Sequence, residues 1–283
     1  MRDWSSRNYH LLLARIQAHL RPRTYVEIGV ANGTSLMLAL PGTHAVGIDP
    51  EPDITWPVEP GTEIYSTTSD EFFANNDLSV ILGGLAVDLS FIDGMHHFEF
   101  SLRDFMNLEK YSTAQSTVLI HDCYPIDKTT STRDGNLGIW SGDVWKLILA
   151  LKEFRPDLKI YTVDVAPTGL GIIRGLDSGS TVLEDNYDKI IERYLTMPYE
   201  VVDRDKPRTL NRVPPDWTTV RGLLPDQPFR SVNPTWLFCR RAARYAPHLL
   251  LNLRLGRSKQ RGAGVRAYKF YLAAPQRVRK RAR

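Results

Sequence analysis

Short apolar runs alternate with amphipathic stretches along the first 175 residues of the chain. Residues 9–20 have the spacing of an amphipathic helix, and residues 25–28 form the first apolar run typical of a strand. Further strands are predicted in HAVGID, TEIYS, LAVDLSFI and STVLIH, and two more, joined by a Pro/Gly turn, in LKIYTVDVAPTGLGIIRG. Helices are predicted from near Thr34 or Ser35, after TEIYS with Ser69 or Asp70 as the cap, and in HFEFSLRDFMNLEKY and SGDVWKLILALKEF.

This alternation predicts the fold class. Strands that are almost continuously apolar and separated by helices are typical of a parallel sheet that is covered on both faces. We therefore expect an α/β, Rossmann-like, doubly wound and mostly parallel sheet of seven strands. After about residue 178 the pattern loosens into Pro-rich sequence. We divide the chain into a catalytic domain with its N-terminal helix (1–178), a peripheral extension (179–239) and a C-terminal tail (240–283).

Charge is distributed unevenly. Of the 36 Lys and Arg residues, 14 lie in residues 240–283, which contain no Asp or Glu, so the first 239 residues carry 22 basic against 32 acidic side chains. The body is therefore acidic and the tail basic. The tail could contact an anionic membrane surface, whereas no motif supports nucleic-acid binding. A solvated tail, or one packed on the acidic body of its own or a partner chain, is the simpler alternative.

No secretion or membrane signal stands out in the sequence. No apolar run reaches the roughly 18 residues that cross a bilayer, and the N-terminus lacks a small-residue cleavage pattern. The two cysteines, Cys123 and Cys239, form neither a disulfide framework nor a metal knuckle. We expect a cytoplasmic protein, with peripheral contact at the inner membrane face as an alternative.

Polar residues and glycines cluster where the predicted strands end. In parallel sheets ligands bind at the carboxyl ends of the strands. The residues at these ends are Gly29, Asp49, Ser69, Asp93, His121 and Asp122. Their convergence predicts a ligand site at one edge of the sheet.

The first half of the chain offers a nucleotide-type pocket. Gly29 and Gly33 lie in the turn after the first strand, where a missing Cβ lets backbone amides approach a ligand. Ala31 replaces the middle glycine of the dinucleotide fingerprint, and Glu27 would suit an ammonium group better than a pyrophosphate. Both features argue against a nicotinamide dehydrogenase. Asp49 ends the second strand, where an acid accepts hydrogen bonds from ribose hydroxyls.

Five segments in order resemble the class I S-adenosylmethionine-dependent methyltransferases, and most closely the bacterial sugar and macrolide O-methyltransferases. The segments are VEIGVANGTS, VGIDPEP, STTSDEFF, FIDGMHHFE and VLIHDC, and the likeness spans residues 20–175. The resemblance implies S-adenosylmethionine as cofactor, with Glu27 and Gly29 at the methionine moiety, Asp49 at the ribose and Ser69 at the adenine. The cofactor residues it implies are Glu27, Gly29, Asn32, Gly33, Thr34, Asp49, Ser69 and Asp93.

The same resemblance implies a metal-assisted reaction on a hydroxyl. A bound cation lowers the pKa of a hydroxyl, and a nearby base takes its proton. Asp93 and Asp122, with His121 as a further ligand, would hold Mg²⁺ or Mn²⁺, since two carboxylates suit hard cations. His96 matches the histidine of the motif and is expected to be the base, although a swap of roles with His97 stays open.

The acceptor side is less defined. Trp140 and Asp143 follow the fifth strand, where they could hold a sugar ring and its hydroxyls together with His97. Trp145 fits a core residue of the next helix better. We expect an O-methyltransferase acting on a sugar or glycoside. Alternatives are a catechol-type O-methyltransferase and a non-catalytic S-adenosylmethionine-binding adaptor with a membrane- or nucleic-acid-binding tail. Homo-oligomerisation is compatible with the sequence.

Overall fold

The computed structural model describes residues 8–135, 138–226 and 228–231. The basic tail 240–283 and Cys239 lie outside the described residues. The helices are α1 (Tyr9–Leu20), α2 (Ser69–Asn75), α3 (Leu78–Ile81), α4 (Phe98–Glu109), α5 (Trp145–Phe154), α6 (Val182–Asp185), α7 (Tyr187–Tyr194), α8 (Glu200–Asp203), α9 (Lys206–Thr209) and α10 (Trp217–Leu223). The strands are β1 (Thr24–Ile28), β2 (His44–Asp49), β3 (Glu63–Ser66), β4 (Val87–Ile92), β5 (Ser112–His121), β6 (Lys159–Val163), β7 (Leu170–Arg174) and β8 (Arg212–Val213).

The strands form one mostly parallel sheet in the order β3-β2-β1-β4-β5-β7-β6-β8. β1 pairs in parallel with β2 and β4, and β4 with β5. β7 runs antiparallel to both β5 and β6. The strand order reverses beside β1, so the ends of β1, β2, β4 and β5 open onto one crevice, which is where such sheets bind ligands.

The Rossmann-like fold is confirmed, but the expected number of strands is wrong: the described residues form eight strands rather than seven. The additional strand is β8, whose two residues pair in parallel with the end of β6. A two-residue strand between Asn211 and two prolines has no period that sequence inspection could detect.

Two apolar cores cover the two faces of the sheet. Alternate residues of each central strand belong to opposite cores: Val26 and Ile28 of β1 face one, and Tyr25 faces the other. The first core packs against α2, α4, α5 and α7. The second packs against α1 and α10. Helices on both faces explain why the central strands β1, β2 and β4 are buried along almost their whole length.

The N-terminal helix begins at a polar cap that places its first residues near the end of β5. Asn8 accepts a hydrogen bond from His10 N at 2.7 Å, as expected of an N-cap side chain. The backbone N–H of Tyr9 donates to the carbonyl of Ala166, in the turn between β6 and β7, at 3.1 Å. The start of α1 is therefore fixed at the carboxyl edge of the sheet.

Two local predictions are corrected. The helix expected from Thr34 or Ser35 is a single 3-10 turn, Leu36–Leu38, because Pro41 disfavours a helical conformation at the residue before it. The N-cap of α2 is Thr68, whose side chain accepts from Glu71 N at 3.2 Å, and not Ser69 or Asp70.

Within the described part of the chain, no helix has the length and apolar character needed to span a bilayer.

Candidate active site

Backbone hydrogen bonds join the ends of β1, β2 and β4. Gly29 N donates to the carbonyl of Ile48 at 2.9 Å, and Asp93 N donates to the carbonyl of Ile28 at 2.8 Å. Gly29 has a φ of +87°, and a Cβ there would lie 2.1 Å from the backbone oxygen of Asp93. A glycine is therefore required for the approach of two strand ends, in addition to any approach by a ligand.

The turn after β1 is ordered by its own polar groups. Asn32 Oδ1 accepts from Thr34 N at 3.2 Å and from Thr34 Oγ1 at 2.5 Å. Gly33 has a φ of +83°, so glycine suits the backbone there. The segment after β2 folds over this turn, because Asp53 N donates to Ala31 O at 2.9 Å.

Glu27 is completely buried and has two hydroxyl donors. Tyr25 Oη and Ser35 Oγ each donate to its carboxylate at 2.6 Å. Burial raises the pKa of Glu27 to about 8, although the two hydroxyl donors oppose the shift. The carboxyl oxygens keep further lone pairs, so the expected contact with an ammonium group stays a prediction.

Asp49 lies where the sequence places it, at the end of β2. Its Oδ2 accepts from Ala31 N and its Oδ1 from Glu51 N, both at 2.8 Å. These bonds fix the carboxylate between the turns after β1 and β2. Each oxygen retains a lone pair for a ribose hydroxyl.

Ser69 is buried at the start of α2, and a buried acid that sequence inspection missed lies beside it. Burial raises the pKa of Asp104 of α4 to about 7, although a hydrogen bond with Ser69 opposes the shift. Asp104 Oδ1 is buried without a hydrogen-bond partner. A lone acid on an amphipathic helix gives no sequence signal that it is buried.

Asp93, His96 and Asp122 converge at the ends of β4 and β5. Each offers one metal-ligating atom, and these atoms lie within 4.8 Å of one another. His121 also belongs to this cluster, since its Nδ1 lies 3.0 Å from Asp93 Oδ1 and 3.3 Å from Asp122 Oδ2. The sequence-predicted metal and base residues therefore lie together.

Asp122 has an unusual backbone and an unsatisfied oxygen. Its φ of 64° lies in the left-handed region, which acids tolerate better than most residues. Thr168 Oγ1 donates to Oδ1. Oδ2 is buried and receives no hydrogen bond, although His96 Nδ1 lies 3.1 Å away. A buried carboxylate oxygen without a donor is suited to a cation.

Opposite charges dominate the pKa values of this cluster. Burial lowers the pKa of His96, but Asp122 and Asp93 outweigh it and raise it to about 9. The same competition raises the pKa of His121 well above its ordinary value. Burial would raise the pKa of Asp93, but His121 and His96 lower it instead. The cluster without a cation thus favours protonated histidines and an ionised aspartate.

The two adjacent histidines are held by different groups. His96 Nδ1 lies 3.0 Å from the carbonyl of Trp140, and the two rings stack with centroids 5.0 Å apart. His97 Nε2 lies 2.8 Å from the carbonyl of Arg133. His97 is also the first residue before α4. His96 is therefore the histidine that faces the cluster.

Asp143 contacts groups of its own chain. Its carboxylate accepts from Phe98 N at 2.8 Å, from Arg133 at 2.7 Å and from Lys146 at 2.9 Å. These bonds join the loop after β5 to α4 and α5. Its expected contact with an acceptor stays a prediction. Trp145 is buried in the core, as the sequence favours.

Tyr9 is a site residue that sequence inspection missed. Its hydroxyl donates to Asp93 Oδ2 at 3.4 Å, and its ring stacks on His121 with centroids 3.9 Å apart. The amphipathic pattern predicts α1, but nothing in it indicates that the first turn reaches the ends of β4 and β5.

The sheet geometry and a family comparison cover the same part of the chain. The first seven strands lie in the order 3-2-1-4-5-7-6 with β7 antiparallel to β5 and β6, and Asp49 ends β2. Residues 26–123 match the family model described as "Methyltransferase domain". The matched segment contains the ends of β1, β2, β4 and β5, where the candidate site lies.

Solved structures with similar folds were also found. Cofactor-bound Rv0187 from MTB is 14% identical, with a TM-score of 0.47, over 59% of this chain and 79% of that one. The O-methyltransferase from Bacillus cereus in complex with SAH is 11% identical, with a TM-score of 0.44, over 59% and 80%. The O-methyltransferase TomG from Streptomyces achromogenes is 14% identical, with a TM-score of 0.44, over 60% and 80%. A comparison with curated proteins found no match.

Proposed function

We propose that this methyltransferase transfers the methyl group of S-adenosylmethionine to a hydroxyl, with a divalent cation held by Asp93 and Asp122. The observation that carries the proposal is the gathering of Asp93, His96 and Asp122 donor atoms within 4.8 Å at the ends of β4 and β5. A methyltransferase that only bound its cofactor would not need this cluster. A hydroxyl acceptor needs it, because its proton must be removed.

The cofactor would occupy the crevice at the ends of β1 and β2. Two backbone N–H groups hold the carboxylate of Asp49, and its remaining lone pairs would accept hydrogen bonds from ribose hydroxyls. Ser69 would border the adenine, and Glu27 and the turn from Gly29 to Thr34 would border the methionine end. Asp93 N donates to the carbonyl of Ile28 at the end of β1, so the methionine moiety of the cofactor would lie next to the Asp93, His96 and Asp122 cluster.

The donor set fits a hard divalent cation such as Mg²⁺ or Mn²⁺. Two carboxylates from neighbouring strands would supply oxygen ligands, and the buried Asp122 Oδ2, which receives no hydrogen bond, would be one of them. His121, whose side chain is 8% exposed, lies against both carboxylates as a further ligand. When bound, such a cation supplies positive charge that lowers the pKa of an acceptor hydroxyl.

His96 is the proposed general base. Because a carbonyl only accepts, the 3.0 Å contact with Trp140 O requires the proton on Nδ1 of the neutral ring. A cation held by Asp93 and Asp122 would offset the charges that raise the pKa of His96 and so favour the neutral ring, whose Nε2 lone pair would then take a proton. The His96 side chain is 24% exposed, against 8% for His121, so His96 is the more accessible of the two.

We further propose a sugar or glycoside as the acceptor. The half-buried Trp140 beside His96 supports this proposal, because an aromatic ring offers a face on which a sugar can lie. Catechols are the alternative acceptors, and the test described next includes them.

The test is methyl transfer from labelled S-adenosylmethionine to a panel of glycosides and catechols, with Mg²⁺ and with a chelator. We expect Mg²⁺-dependent transfer to glycosides, and a loss in kcat of about 100-fold or more in His96→Ala, with unchanged cofactor affinity. His44→Ala is the matched control, because His44 pairs with Glu63 at the edge of the sheet. Transfer that resists the chelator, or full turnover in His96→Ala, would contradict the proposal.

A further inference from the structure

We infer that a second pocket, at the edge of the sheet opposite the candidate active site, binds a phosphate group. α1 begins beside the active-site cluster and ends at Leu20, so the residues that follow it lie where β1 begins. The pocket has a volume of about 420 Å³. The side chains that matter here are Arg15, His19, Arg21, Trp217, Arg221 and Asp226.

Two helices build the pocket from matching pairs. Arg15 and His19 are four residues apart on α1, and Trp217 and Arg221 are four residues apart on α10, so each pair lies on one helix face. The guanidinium of Arg15 lies 4.6 Å from the centre of the Trp217 ring. His19 Nε2 lies 3.0 Å from the carbonyl of Pro225. These contacts preform the walls.

The charge of the pocket is unbalanced. Among the described residues that line it, three carry a guanidinium and Asp226 alone carries a carboxylate. Among the residues that the structure describes, neither Arg21 nor Arg221 forms an ion pair, and Arg21 Nε is buried without a hydrogen-bond partner. Like charges in one concave site repel one another unless an anion lies between them.

A phosphate is the anion that suits these groups. A guanidinium presents paired N–H donors that match two phosphate oxygens, and several such donors can share one phosphate. The chain itself offers little competition from its C-terminal side, because no Asp or Glu follows Ser231. The phosphate would belong to a separate molecule, either a free phosphate compound or a lipid headgroup.

The position of the pocket connects it with the basic end of the chain. Phe229 N donates to the carbonyl of Leu20 at 2.8 Å, so the segment that leads into residues 232–283 passes beside the pocket. The 14 Lys and Arg residues of 240–283 follow this segment in the sequence. The inference does not depend on the methyl-transfer reaction.

The test compares the full-length protein with the double variant Arg21→Gln/Arg221→Gln and with Arg204→Gln, an exposed arginine of the α8–α9 segment. One arm titrates inorganic phosphate calorimetrically at constant ionic strength. The other measures sedimentation with vesicles of phosphatidylcholine and phosphatidic acid in a four-to-one ratio. We expect the double variant to bind at least about tenfold more weakly than wild type in one or both arms, with Arg204→Gln unchanged.

Loss in the phosphate arm identifies a free phosphate ligand, and loss in the vesicle arm alone identifies a lipid headgroup. Equal binding by wild type and the double variant in both arms, or no binding by wild type, would overturn the inference. Equal loss in Arg204→Gln would overturn it too, since the effect would then report total charge. The far-ultraviolet circular dichroism of each variant must match wild type, and Arg21→Lys/Arg221→Lys should retain part of the binding.

Discussion

The phenol ring of Tyr9 lies on the imidazole of His121, with ring centroids 3.9 Å apart and an angle of 29° between the planes. The contact joins the first turn of α1 to the last residue of β5. The Tyr9 ring also covers His121, whose Nδ1 lies 3.0 Å from Asp93 Oδ1. If His121 binds a cation as proposed, a group that holds its ring in this way would help to set the geometry of the site.

We predict that Tyr9→Ala weakens Mn²⁺ binding by about tenfold, because His121 loses the ring that fixes its orientation. Tyr9→Phe keeps the ring and removes only a hydroxyl at the long distance of 3.4 Å from Asp93, so it should cost less than about threefold. Electron paramagnetic resonance titration of Mn²⁺ measures both. Equal losses in the two variants would assign the effect to the hydroxyl and contradict the role of the ring.

Asp122→Asn should abolish most of the divalent-cation binding while leaving the fold intact. Asparagine adopts the left-handed backbone that Asp122 requires, but it removes the charge of the unsatisfied Oδ2. We expect at least about a 100-fold loss of Mn²⁺ affinity, measured by calorimetry. Asp157→Asn, at a carboxylate that pairs with Arg155 away from the cluster, is the control. Wild-type affinity in Asp122→Asn would exclude this oxygen as a ligand.

Gly29→Ala should destabilise the protein strongly. The added Cβ would lie 2.1 Å from the backbone oxygen of Asp93, at a φ of +87°. Gly61→Ala is the matched control, since its φ is +86° with no atom within 4 Å of the added Cβ. We expect about 1 kcal/mol of destabilisation for Gly61→Ala and at least about 3 kcal/mol for Gly29→Ala, from urea unfolding. Similar losses in both would mean that only the backbone conformation matters.

Asp104 should make stability depend on pH. Its pKa is raised from 3.8 to about 7 in the folded protein. Between these values the unfolded chain is ionised while the folded carboxyl keeps its proton, so the free energy of unfolding falls as pH rises. The shift corresponds to at most about 4 kcal/mol, complete above pH 7 and absent below pH 4.

The difference in the free energy of unfolding between Asp104→Asn and wild type isolates the contribution of Asp104. The stability of the variant relative to wild type should increase from pH 4 to pH 7 and then level off. Urea unfolding at several pH values measures it. A difference that is constant with pH would mean that Asp104 titrates normally in the folded protein.

The local pattern of apolar and polar residues was sufficient to predict most of the helices and strands. The bounds of α1 agree with the predicted residues 9–20, and the strands that carry Asp49, Asp93 and His121 lie where apolar runs end. Even the convergence of the cluster follows from the rule that parallel strands end at one edge. The 3-10 turn after β1 and the short β8 differ because their conformations depend on a single proline or on tertiary pairing.

The groups that surround the site could not be predicted in the same way. Tyr9 and Thr168 reach the cluster from segments 84 and 46 residues distant in sequence from their partners Asp93 and Asp122. The burial of Asp104 depends on how α4 packs against α2. Such contacts are set by the packing of whole elements, and no periodicity within one segment reports them.

The most direct test of the central claim is calorimetric titration of the purified protein with S-adenosylmethionine, S-adenosylhomocysteine and NAD, with and without Mg²⁺. We predict binding of both sulfur compounds and no binding of NAD. We also predict a separate Mg²⁺ signal that disappears in Asp122→Asn while S-adenosylmethionine still binds. Failure of both sulfur compounds to bind, with or without Mg²⁺, would contradict the cofactor roles of Glu27, Gly29 and Asp49 and the reaction built on them.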